Sequence, residues 1–125
     1  MGDLSAHFNK REFACRDNCG FDAISMDLIY KLEAVHQRLD KVLIIDDGCR
    51  CPTHNAAVGG KADSAHLRGM AADIYCADSS LRFELVNAAL AEGFKRIEVG
   101  SNWVHLDIDD SLPQRVMFLP GTGRG

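Results

Sequence analysis

A chain of 125 residues with 46% hydrophobic and 26% charged content has the size and make-up of one globular domain with its own core. A formal net charge of −4 and no basic stripe exclude a nucleic-acid binder. No apolar run reaches membrane length, so no membrane partner is expected.

The start, Met1-Gly-Asp-Leu-Ser5, lacks a charged segment followed by an apolar one. It therefore reads as carrying no secretory signal, and the protein is expected in the cytoplasm as synthesised, unless a lysis system or phage particle delivers it. Residues 5–13 read as a short helical turn, with Asn9 as its cap and Phe8 and Phe13 as apolar anchors. A loop over 14–24 follows. Ser25 then caps a longer helix running to about Leu39. Along it Leu28, Ile29, Leu32, Val35, His36 and Leu39 recur at three- and four-residue spacing, which gives one apolar stripe. His36, on or beside that stripe, reads as a packing or surface histidine.

Val42-Leu-Ile-Ile45 predicts a short β-branched strand ending in Asp46-Asp47-Gly48. A long irregular stretch is expected from there to Ser64, and loops of that length in compact domains tend to be functional. Residues 70–76, Met-Ala-Ala-Asp-Ile-Tyr-Cys, read as a buried strand carrying one carboxylate. Ser79 or Ser80 caps a helix to about Glu92, with Leu81, Leu85, Val86, Ala89 and Leu90 on its buried face and Gly93 just past its end. Arg96–Val99 and Trp103–Ile108 form a hairpin about a turn at 100–102, and Arg115–Leu119 adds an edge strand. This order predicts an α+β domain over 1–119, with helices packed against a small antiparallel sheet, and a flexible tail over 120–125.

Five cysteines are present, an odd number: Cys15, Cys19, Cys49, Cys51 and Cys76. Cys15-x-x-x-Cys19 and Cys49-x-Cys51 offer four thiolates to a structural zinc. They equally offer a disulfide between the N-terminal segment and the 49–51 loop, or reduced, inert thiols.

The chemistry concentrates in two stretches. Ser64-Ala-His66-Leu-Arg-Gly69-Met-Ala-Ala-Asp73 is answered later by Trp103-Val-His105-Leu-Asp107. An isolated buried carboxylate such as Asp73 is costly unless paired or metal-bound. Two His and one Asp are the ligand set of an open zinc site, with a fourth position left for water. His66, Asp73 and His105 are therefore the expected metal ligands. Asp107, two residues from His105 on a strand, shares its face. It is a candidate general base, or a carboxylate that orients a ligand histidine. Glu98, across the hairpin, is the second candidate base, or an ordinary solvent-facing residue. Asp109 and Asp110 read as a solvated strand end, and Trp103 as core.

The pattern S-x-H-x-x-G-x-A-x-D with a distant V-H-x-D resembles the zinc D-Ala-D-Ala carboxypeptidase family, of the wider group that holds lysostaphin and hedgehog. Phe8–Phe13, Asp47–Asn55 and Val58–Gly60 extend the likeness over most of residues 5–109, closest to its phage and bacterial branch. The resemblance implies zinc as cofactor and a metallopeptidase; the chain is expected to be a monomer. The partner it implies is a peptidoglycan stem peptide, cut as a carboxypeptidase or an endopeptidase would by metal-activated water. It implies that Arg50 binds a substrate carboxylate or developing oxyanion, and that Ser64 hydrogen-bonds the substrate or holds the loop. Relatives with a clear base carry an acid three residues before the last histidine, where this chain has Asn102. That departure favours an alternative, a non-catalytic zinc-binding module or a phage structural or attachment module on the same fold.

Overall fold

The computed structural model describes residues 2–120, so the expected tail lies, apart from Pro120, outside the described residues. Helix α1 spans Lys10–Phe13 and starts at Asn9, whose backbone N–H donates to the Glu12 carboxylate at 2.6 Å. Helix α2, Met26–Leu39, begins after Ser25 and buries Leu28, Ile29, Leu32 and Val35. Strand β1 is Ile45–Asp47, shifted from the expected 42–45. Val42 and Ile44 face solvent while Leu43 and Ile45 enter the core, so the β-branched run is the approach to the strand and not the strand itself.

The stretch expected to be irregular contains helix α3, Pro52–Ala57, and a 3-10 turn at Ala65–Arg68. Pro52 occupies the first turn of α3, where its fixed φ and missing N–H cost nothing. Strand β2 is Ala71–Tyr75, and helix α4 is Ser79–Ala91. Asp78 caps α4 in place of the expected serines, accepting the Leu81 N–H at 2.8 Å. Leu85, Ala88 and Ala89 are its buried residues, whereas Leu90, expected inside, turns to solvent. Strands β3 (Arg96–Val99) and β4 (Trp103–Asp107) make the hairpin, and β5 (Val116–Phe118) lies at the edge.

The sheet order is β1-β2-β4-β3-β5, antiparallel throughout except where β5 runs parallel to β3. Its two faces differ in chemistry. On one, Ala72, Ile74, Ile97, Val104 and Leu106 join α2 and α4 in a single apolar core. On the other, register sets Asp73 opposite His105, His105 opposite Glu98, and Glu98 opposite Phe118. Side chains directly opposite one another share a face. The polar row therefore crosses four strands, with Asp47 of β1 in register beside Asp73. Among the described residues no helix is long and apolar enough to cross a membrane.

Candidate metal centre

Each member of the polar row is placed by a local sequence device. Ser64 caps the 3-10 turn, its Oγ accepting the His66 N–H at 3.2 Å, and this aims the His66 ring at the sheet. Gly69 ends the turn at φ +66°, and its α-carbon faces the Ala23 carbonyl so closely that a Cβ would lie 2.2 Å from that oxygen. A residue that is both left-handed and that close to backbone has to be glycine. Asp73 and His105 come from the paired central strands β2 and β4.

The structure brings His66, Asp73 and His105 together, all three at 0% exposure. Asp73 Oδ1 lies 2.9 Å from His105 Nδ1 and 3.2 Å from His66 Nε2, and the two ring nitrogens are 3.2 Å apart. The outer nitrogen of each ring is committed as a donor. His66 Nδ1–H donates to the Gly48 carbonyl at 2.6 Å, and His105 Nε2–H donates to Asp107 Oδ2 at 2.7 Å. In the neutral rings, then, both inward nitrogens present lone pairs beside a carboxylate oxygen. With His105 neutral, three acceptors converge, a donor set that suits a cation, whether a metal ion or the second proton of His105. Ligand atoms on tetrahedral zinc, bonded at ~2.0–2.1 Å, lie roughly 3.3 Å apart, so the observed triangle fits that ion.

Electrostatics agree. Burial pushes the Asp73 carboxyl up, but the facing His66 and His105 reverse this and hold it well below the usual carboxylate range. Burial by itself would lower the pKa of His105. Hydrogen bonds from its ring to Asp107 and Asp73 outweigh this and, without metal, raise it to about 9. Arg50, fully buried, bridges Asp47 Oδ2 through Nε (2.6 Å), Asn55 Oδ1 through Nη1 (3.1 Å) and Asp73 Oδ2 through Nη2 (3.3 Å). The resemblance implies a substrate contact for Arg50; its three hydrogen bonds in the structure go to Asp47, Asn55 and Asp73.

Asp107 sits on the outer nitrogen of His105, away from the converging atoms, and is clamped by Arg96 Nε at 2.9 and 3.1 Å. From there a carboxylate can orient the His105 ring. Glu98 is buried, not solvent-facing, and lies beside His105 in the row, with Trp103 Nε1 donating to its Oε1 at 3.4 Å. Asn102 is exposed in the hairpin turn. Next to the row lies a cavity of about 300 Å³ lined by Lys61, Ser64, Arg96 and Phe118, the last with its ring 6.0 Å from that of His105.

Some placements differ from the sequence reading. Asp109, read as solvated, is buried and ion-paired with Arg68. His36, by contrast, is the packing or surface histidine expected, stacking on His7 at 4.0 Å. Gly48, Asp47 and Arg96 were missed as supporting groups. Arg96 faces Asp107 because the strands turn at 101–102, with Gly100 opposite Trp103; the turn expected at 100–102 would have set it opposite Leu106. The Gly48 carbonyl carries no signal in the sequence, since a backbone acceptor has no side chain to recognise.

A family model described as Peptidase M15 matches residues 6–107 of the chain. No curated protein matches it.

Proposed function

The chain belongs to the Peptidase M15 family, and on that premise we propose that it is a zinc metallopeptidase that hydrolyses peptide bonds in peptidoglycan stem peptides. The observation that carries the reading is the convergence of His66 Nε2, His105 Nδ1 and Asp73 Oδ1, with the outer ring nitrogens fixed by Gly48 and Asp107. In this reading those three residues hold the ion. When bound, zinc supplies a Lewis acid that polarises a carbonyl and lowers the pKa of water to about 7.

The remaining roles fall to the chain itself. Gly48 and Asp107 keep each imidazole in the tautomer that offers its inward nitrogen. Arg50 holds Asp73 in place. Its planar guanidinium suits three acceptors at fixed angles. Glu98 is the group we assign as general base, taking a proton from the attacking water and returning it to the leaving amine. Its strand position beside His105 supports this, and it supplies the acid that Asn102 does not. Ser64 lines the cavity and is assigned to the substrate backbone. Lys61, which lines the same cavity beside Asp63, is the group we assign to a peptide carboxylate.

The second reading, a non-catalytic zinc module, is favoured by Asn102 alone. Incubation of zinc-loaded protein with purified muropeptides, followed by mass spectrometry, decides between them. The peptidase reading expects peptide-bond cleavage that chelation abolishes and zinc restores. Stoichiometric zinc with intact muropeptides would leave the binding module.

A further inference from the structure

A second group of metal-ligating side chains lies away from the polar row. After α1 the chain turns back at 14–19 and sets Cys15 and Cys19 against Cys51, the residue that caps α3. Asp17 stands among them. Cys15 Sγ is 3.0 Å from Asp17 Oδ1, and Cys51 Sγ is 2.8 Å from Asp17 Oδ2. One ligand atom from each of the four residues lies within 4.8 Å of all the others.

We propose that Cys15, Asp17, Cys19 and Cys51 bind a thiophilic divalent cation of the zinc class as a closed, structural site. Four observations carry it. The donor set is three sulfurs and one carboxylate oxygen, which suits zinc and is wrong for magnesium or calcium, ions that demand oxygen alone. The set is full at four, in contrast to the three donors of the polar row, and a full set marks a structural role. All five cysteines are free, and three sulfurs in one cluster cannot be resolved by disulfides, since any one bond strands the third. Backbone N–H groups also aim at the sulfurs: Cys51 N–H to Cys15 Sγ and His54 N–H to Cys51 Sγ, each at 3.4 Å. Such contacts orient metal-bound thiolates.

The spacing explains which cysteines take part. Residues 49 and 51 are two apart with the buried Arg50 between them, yet Cys49 points into the apolar core while Cys51 points out to the cluster. The four-thiolate set that the sequence suggests is therefore replaced by three thiolates and Asp17. On binding, each thiol gives its proton to solvent, three per ion, and Asp17 binds already ionised. The ion would tie the N-terminal segment to the residue that follows Arg50, and so brace Gly48 and Arg50 behind the polar row.

Metal content of the full chain, purified with reductant, tests this apart from any activity. The wild type should carry about two zinc ions per chain, and both the His66→Ala/His105→Ala and the Cys15→Ser/Cys19→Ser/Cys51→Ser variants about one. Cobalt substitution should give an intense sulfur-to-metal charge-transfer band that the histidine variant keeps and the serine variant loses. Should the triple variant not fold, Cys19→Ser alone, at an exposed position, should still weaken or abolish the band. A histidine variant with no zinc, an unchanged band in Cys19→Ser, or a non-reduced mass short by the two hydrogens of a disulfide within the cluster would each overturn the proposal.

Discussion

Asp107 and Glu98 are both acidic, both buried, and both within one hairpin of His105, yet Asp107 hydrogen-bonds its ring while Glu98 stands opposite it on the neighbouring strand. This separates their expected phenotypes. Glu98→Gln should lower turnover by about 10²–10⁴-fold with zinc still bound. Asp107→Asn should instead weaken zinc affinity on the order of 10–100-fold, with turnover recovered by added metal. Turnover of both variants at rising zinc concentration checks this, and a reversed outcome exchanges their roles. Arg50→Lys replaces a fork on three acceptors with a single ammonium, and a loss on the order of 3 kcal/mol is expected in denaturant unfolding. In chelated protein His105 has a pKa of about 9, above its ordinary 6.5. The folded state then holds a proton that the unfolded state releases. That contribution to stability is full below pH 6.5 and is lost as pH rises through 9. Melting temperature of the chelated wild type should fall across this window, and that of His105→Asn should not. At this scale the sequence was informative wherever a side chain carries the chemistry. His66, Asp73 and His105 could be picked out by residue type. Arg50 and Asp107 could be picked out as important, but the side from which each acts depends on tertiary packing.

The helices and strands were legible where periodicity was sustained. Met26–Leu39 shows four buried residues at helical spacing, and the β3–β4 hairpin follows from its turn. Legibility failed where a polar residue belongs to a strand. Asp46 and Asp47 lie in β1, paired with β2, and Asp47 meets Arg50 on the polar face, an arrangement that no hydrophobic pattern encodes. It failed too where a helix is only six residues long, as in α3. The short 3-10 turn at Ala65–Arg68 matters most, since it carries His66. Gly69→Ala would put a Cβ 2.2 Å from the Ala23 carbonyl at a left-handed φ of +66°. The turn must then shift, at a cost of at least about 1–2 kcal/mol for the backbone alone. Lower thermal stability and weaker zinc retention are expected together. A stable Gly69→Ala protein that sheds no metal would show that the turn's position is not what holds His66.

At the scale of the whole molecule the ligand set is non-local. Asp73 and His105 are 32 residues apart, and His66 and His105 are 39 apart. They meet only when the two central strands are in register, so the row across the sheet is also a clock for folding. Loop closure on that scale has to occur before any contact repays it. The ion therefore has nothing to grip until β2 and β4 are paired, and it stabilises the finished fold without helping to build it. Interactions absent from the transition state act on the unfolding rate alone. Stopped-flow experiments on the Cys15→Ser/Cys19→Ser/Cys51→Ser variant, which keeps only the ion of the polar row, should accordingly find the same refolding rate with zinc and with chelator, and an unfolding rate that zinc slows markedly. Faster refolding with zinc would mean that the ligands assemble early, before the sheet that carries them.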